Sequence, residues 1–278
     1  MSAVDLQMQA QPKVQPAPPS AAAGEKRIPN IAYSIGAIVV LIVLWYVASR
    51  FLVKPGYLPT PEELGSTFID LVKNGYQGKP LLEHIGISLF RSLVGFALGV
   101  AAGVPLGLLT GYSRRAGAMI SPIMAFIRPI PPIAFIPMAV LYFGLGEVGK
   151  IVLIFFVSFT YVQANAHAGA ANFPIAYRRA AQSLGLTRAQ TFFRIVLPGA
   201  LPQIFTGLKV ALALSWAVGV AAELVGAQSG LGFMISDAAL LFRIPVVYVG
   251  VLLIGAIGLA LNFALNSVEH RIVHWKGR

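Results

Sequence analysis

Cysteine is absent from all 278 residues, which excludes disulfides, thiolate metal sites and thiol nucleophiles. Charge is scarce as well, at 11% Asp, Glu, Lys and Arg, and only ten residues are acidic. A soluble chain of this length needs far more charge to cover its surface. The four histidines (His84, His167, His270 and His274) stand apart without ligand spacing. No carboxylate pair or nucleophile–base arrangement suggests catalysis, and no Gly-x4-Gly-Lys-Ser/Thr loop is present to cradle a nucleotide phosphate. The sequence therefore reads as a non-enzyme with no metal or cofactor of its own.

Apolar residues fill the gap. They make up 57% of the chain, the mean hydropathy is +0.76, and they fall in runs of about 20 residues, the length a helix needs to cross a bilayer. Six spans are expected, at about 31–53, 85–110, 118–143, 150–171, 203–225 and 245–268. The first run is too long for a signal-peptide core and reads as a retained span. Residues 1–28, rich in Pro, Ala and Gln, read as a disordered tail. Residues 29–278 read as one membrane domain. The net charge of +11 is spread over loops flanking the apolar runs, as positive-inside bias requires and nucleic-acid binding does not. Twelve Lys and Arg fall on the side of the termini and the 174–198 loop against five on the other, so both termini and that loop are expected in the cytoplasm.

Two outer segments read as helices. Thr60 to Asn74 opens on a Thr-Pro-Glu-Glu start signal. Gly230 to Phe242 reads as a short amphipathic helix at the outer interface. In the second span Gly95, Gly99, Gly103, Gly107 and Gly111 recur every fourth residue. That spacing lines one helix face with hydrogen atoms and invites close backbone approach by a neighbour.

The third span is interrupted by Arg128-Pro129-Ile130-Pro131-Pro132. Broken backbone at membrane depth is tolerated where it is buried in protein or lines a wet cavity. An arginine about 10 residues into a span, roughly 15 Å from its start, normally faces a pathway or a partner. Arg128, Pro129, Pro131 and Pro132 are accordingly the expected pathway residues. Glu223, near the outer end of the fifth span, is a conceivable partner and is placed with them. Arg50, Arg91 and Lys209 sit near span ends and read as snorkelling side chains.

Between spans four and five lies Arg178 to Pro202, a basic helix–turn–helix with four arginines. Asn172 and Pro174 start its first helix, Gly185 stops it at a left-handed position, Thr187 and Gln190 form a capping box for the second, and Leu197-Pro198 ends that one. Tethered to the membrane on both sides, the pair reads as a surface for a soluble partner, not a nucleic-acid reader.

This loop resembles the motif shared by permease subunits of bacterial ABC importers: Glu-Ala-Ala, three residues, Gly, nine residues, Ile-x-Leu-Pro. Ala180, Ala181, Gly185, Ile195, Leu197 and Pro198 stand at those spacings, with Leu184 beside the glycine. Arg179 departs from the motif by holding the Glu position. RPIPPIAFIPMAVLYFGLGEVGKI, LPGALPQIFTGLKVAL, VAAELVGAQSGLGFMI and HWKG look like the taurine and aliphatic-sulfonate permeases, a group with relatives for nitrate, bicarbonate and other small solutes. The likeness covers roughly residues 57–278.

The resemblance implies an all-α polytopic membrane protein with the six helices of the type I ABC importer permease fold, in a bacterial inner membrane. It implies a homodimer, two ATPase subunits that bind ATP and Mg, and a periplasmic binding protein delivering taurine or a related sulfonate. The 174–198 loop would then couple ATP hydrolysis to transport. The competing reading is an ion-driven secondary transporter, which would want several intramembrane carboxylates or inverted repeats.

Overall fold

The computed structural model describes residues 30–54 and 56–275; the expected tail at 1–28 lies outside them. Two compact units separate at Val47 and Ala48. The described part of the first is one helix, α1 (Asn30–Val47), with no charged residue in its terminal turns.

The second unit opens on a π-turn (Ala48–Leu52) and a short helix, α2 (Pro61–Asn74). Thr60 caps α2 as its sequence suggests. The Thr60 hydroxyl accepts from the Glu63 amide, and Glu63 accepts from the Thr60 amide at 2.9 Å. A tight hairpin at Tyr76–Lys79 leads into the long α3 (Leu81–Tyr112). Then follow α4 (Arg114–Ile127), a 3-10 turn (Pro132–Phe135) and α5 (Ile136–Phe143). Next come α6 (Glu147–Ala171), α7 (Ile175–Ser183) and α8 (Arg188–Thr191). A π-turn at Phe192–Val196 carries α8 into α9 (Leu197–Leu224), and α10 (Leu231–Leu240) and α11 (Ile244–Ile272) complete the chain. Among the described residues, five helical stretches are long and apolar enough to cross a membrane, six if α4 and α5 form one span bent by 85°.

Two boundaries differ from expectation for a physical reason. Leu197-Pro198 does not end a helix. Arg188–Leu224 runs on as one stretch, because Pro198 falls in the first turn of α9, where its missing N–H costs little. The π-turn before it supplies the extra residue. At the other end of the loop Asn172 caps the end of α6 and only Pro174 precedes α7.

The glycine stripe finds its partner in α6. A Cβ on Gly95 would sit 2.6 Å from the Ile154 side chain. On Gly103 it would lie 3.0 Å from the Phe159 carbonyl, and on Gly107 2.6 Å from the Ala166 Cβ. Gly111 faces Ala170 in the same way. Helices in lipid gain little from apolar burial, so contact of this closeness is what holds them. The third helix of the packed body, α9, joins through Ser158 and Ser215, whose hydroxyls are 2.6 Å apart. On its other side the Trp216 indole N–H donates to the Ile254 carbonyl of α11 at 3.0 Å. Lys209 is held by Glu269 of α11 instead of reaching along the surface alone.

Gly107→Leu is expected to lower stability by about 1–3 kcal/mol through overpacking, whereas Gly86→Leu, where a Cβ meets nothing within 4 Å, leaves it nearly unchanged. Thermal unfolding of the purified protein in detergent distinguishes the two. Equal melting temperatures would remove the stripe from its role.

Candidate functional site

Three places on the described chain carry concentrated polar chemistry: an ionic centre at the starts of α3 and α6 and the end of α9, the broken span at α4–α5, and the α7–α8 loop at the other end of those helices.

The ionic centre grows from one face of α3. His84, Ser88 and Arg91 stand at helical spacing just outward of the first stripe glycine, and all three are fully buried. Arg91, only 1% exposed, donates from Nη1 to Glu223 Oε1 and to the Ser229 carbonyl, both at 2.8 Å. Its other edge grips Glu147, with Nη2 to Oε1 at 2.6 Å and Nε to Oε2 at 2.5 Å. Glu223, also 1% exposed, accepts from the Ser88 hydroxyl at 2.8 Å and from the Gly232 amide at 2.9 Å. Glu223 thereby caps the positive end of α10. The Leu231 amide donates to Ser88 at 2.8 Å. Gly230 must be glycine here: its φ is +115°, and a Cβ would meet the Glu223 carboxylate.

His84 extends the centre outward. Nδ1 lies 3.1 Å from the Gly230 amide and 3.2 Å from the Gly230 carbonyl, and Nε2 lies 3.1 Å from the Tyr76 carbonyl; with the amide donating to Nδ1, Nε2 carries the proton to Tyr76. That tautomer is assigned from its partners. Phe233 stacks on the ring. The Tyr76 hydroxyl and the Gln77 amide donate to Asp237 at 2.7 and 3.0 Å. The two donors, Gln77 first, hold the Asp237 carboxyl below its usual range, and burial pushes the Tyr76 hydroxyl up.

Sequence reasoning placed Arg91 among snorkelling side chains and left Glu223 as a conceivable partner of Arg128. The structure pairs Arg91 with Glu223. Arg128 follows α4 as its C-cap residue in helical conformation, exposed, with no carboxylate in ion-pair range among the described residues. Pro129 and Pro131 occupy the link after it, Pro132 begins the 3-10 turn, and α5 then packs through Ile136 and Ala139 against Leu153 and Val157 of α6 and Val218 and Ala222 of α9. Glu223 therefore belongs to the buried lock and does not join the 128–132 break.

The α7–α8 loop has two faces. Ala181 and Thr191 are buried against the body, with Ile195, Leu197 and Pro198 half-buried beneath them. Arg179, Ala180 and Gly185 are exposed, and Leu184 is 80% exposed. Gly185 has φ +76°, the left-handed stop expected of it. Thr187 accepts from the Gln190 amide, and Gln190 accepts from the Thr187 amide at 2.9 Å. Arg178 secures α7 by donating to the Ala170 carbonyl at 2.5 Å while its guanidinium lies over the Tyr112 ring.

A multi-span helical body with a broken span and a protruding basic helix–turn–helix defines the class of a membrane transport subunit. The binding-protein-dependent transport system inner membrane component family matches residues 103–274, and the chain belongs to it. Its sequence is 36% identical over 250 residues to the taurine transport system permease protein TauC of Escherichia coli (strain K12), covering 89% of this chain and 91% of that one. It is 32% identical to the putative aliphatic sulfonates transport permease protein SsuC of Bacillus subtilis (strain 168), over 85% of each chain. To the nitrate import permease protein NrtB of Synechocystis it is also 32% identical, over 88% of this chain and 90% of that one. An inward-facing structure of the MetNI methionine ABC transporter shares the fold, with a TM-score of 0.62 at 21% identity, over 69% of this chain and 95% of that one. The chain is therefore a multi-pass ABC importer permease.

Replacing Arg91 with Met leaves Glu223 buried without its cation. Unfolding in detergent is expected to show a loss of about 3–5 kcal/mol, with partial recovery in the Arg91→Met, Glu223→Gln double variant. A single variant as stable as the parent would show that the centre does not hold these helix ends together.

Proposed function

We propose that two copies of this chain form the translocation pathway of an ATP-driven importer for taurine or a related small sulfonate. A periplasmic binding protein delivers the solute, and two ATPase subunits holding ATP and Mg dock on the cytoplasmic 174–198 loops. This places the protein in a bacterial inner membrane with both termini in the cytoplasm, the orientation the twelve-to-five Lys and Arg count supports.

One observation carries the docking assignment. The loop turns Arg179, Ala180, Leu184 and Gly185 outward while Ala181, Ile195, Leu197 and Pro198 hold it to the body, so a large exposed leucine beside a rigid turn is presented to a partner. Arg179 stands where the family motif has Glu, which makes this face basic and suited to an acidic wall of the ATPase groove.

The broken span supplies the pathway element. Arg128, with Pro129, Pro131 and Pro132, sets a cation that has no carboxylate partner among the described residues at a break in the helical ladder, which suits a small anion headgroup. Sulfonate is favoured because relatives named for taurine and aliphatic sulfonates stand at 36% and 32% identity. Nitrate is the second reading, favoured by a relative named for nitrate import and by a cation that would take any small anion. Glu223 serves from behind, holding Arg91.

Uptake into vesicles carrying the whole complex tests substrate and coupling together. Gly185→Val forces a branched residue into a left-handed position at about 1–2 kcal/mol, enough to cut the docked population and uptake about tenfold. ATP hydrolysis would persist uncoupled. Uptake equal to the parent would refute the docking role. Arg128→Ala is expected to lower sulfonate uptake at least about tenfold, the cost of one charged hydrogen bond. Transport at the parental rate removes Arg128 from the pathway. Competition among taurine, an alkanesulfonate, nitrate and bicarbonate decides the solute.

A further inference from the structure

Two cavities flank the contact that joins the α7–α8 loop to the body, where the Tyr112 hydroxyl donates to the Arg188 carbonyl at 3.2 Å; one is basic and the other apolar, the two chemistries of an amphiphile. The first, about 610 Å³, is lined by Arg114 and Arg115 at the start of α4 and by Arg178 and Arg188 of the loop, with Tyr112 between them. None of these arginines has a carboxylate partner among the described residues. The Nε of Arg178 is buried without any partner. The start of α4 adds the positive end of a 14-residue helix to the same wall.

The second cavity, about 510 Å³, shares Tyr112 and Arg188 with the first. Its walls are otherwise apolar: Val104, Leu108 and Leu109 of α3 on one side, Phe192, Phe193 and Leu197 on the other. Phe192 and Phe193 belong to the π-turn. The outer parts of the slot are open, since Leu109 and Phe193 are both more than half exposed. A free oxyanion would satisfy the basic chamber and leave the slot empty. An apolar ligand would do the reverse.

We propose that the two cavities form a single site for an anionic phospholipid, its phosphate among Arg114, Arg115, Arg178 and Arg188 and an acyl chain in the slot against Leu109 and Phe193. Basic pockets between helices at a membrane face take such headgroups, each cation contributing roughly fivefold in affinity. The bound lipid ties the corner of α3 and α4 to the root of the α7–α8 loop. That the leaflet is the cytoplasmic one rests on the orientation proposed above; the site itself does not.

The test uses the permease purified with its ATPase subunits and exchanged into mixed phosphatidylglycerol and phosphatidylcholine, with retained lipid counted by native mass spectrometry. The parent is expected to keep phosphatidylglycerol selectively. The Arg114→Gln, Arg115→Gln double variant should lose that retention by on the order of tenfold or more, and Arg188→Gln reads the opposite wall. Leu109→Trp, which fills the slot, should lose it as well. Arg271→Gln, basic but lining neither cavity, should not.

Equal retention of the two lipids would overturn the proposal. So would retention indifferent to Leu109→Trp yet abolished by inorganic phosphate, which would mark an oxyanion site. Lipid held only after the ATPase is stripped away would assign the arginines to that subunit. ATPase co-purification reads the docking loop separately: Gly185→Val loses the ATPase while keeping the lipid, and the Arg114→Gln, Arg115→Gln double variant, outside that loop, does the reverse.

Discussion

The approach of α3 to α6 depends on five glycines that put backbone against backbone. Between lipid-embedded helices there is no water to expel, so attraction comes from dispersion and polar contacts at short range. A single methyl at Gly95 or Gly107 would have to occupy space already held by Ile154 or Ala166. With α3 and α6 fixed, α9 has one groove to enter, marked by the Ser158–Ser215 contact. Within the second unit, α5, α10 and α11 pack onto this three-helix body.

The ionic centre stops that body from sliding along its own smooth face. A glycine stripe gives closeness but little register, because adjacent turns look alike. Arg91 supplies register by joining three chain segments in one guanidinium: Glu147 from the start of α6, Glu223 from the end of α9, and the Ser229 carbonyl before α10. Its buried charge is tolerated because its donors meet two carboxylates and a carbonyl, and because Glu223 is itself satisfied by Ser88 and the α10 amide. His84 and Asp237 carry the same network to the Tyr76–Lys79 hairpin.

The geometry also relates the two ends of the molecule. Arg188–Leu224 is one helical stretch of 37 residues, about 55 Å at 1.5 Å per residue, with the loop at one end and Glu223 at the other. The α4–α5 span is instead bent by 85° at its prolines. The α7–α8 loop thus leads into one long continuous helical stretch, with a jointed span beside it. That combination suits a subunit whose pathway must open to each side in turn.

Much of this was legible from the chain alone. Span number, the capping boxes at Thr60 and Thr187, the left-handed Gly185, the glycine face and the proline break are all local, set by propensity, period and residues within one or two turns. Pro198 was misleading because proline stops a helix in its interior and is harmless in its first turn; only the π-turn ahead of it reveals which case applies. Arg91 and Glu223 were harder, since position near a span end described both and their partners lie 56 to 138 residues away. The sequence by itself determined which segments are helices, which faces are smooth and where the ladder breaks. Tertiary structure alone decided that α6 fills the glycine face, that Arg91 and not Arg128 holds Glu223, and that four arginines share one chamber, because such pairings arise only when segments far apart in the chain are brought within 3 Å.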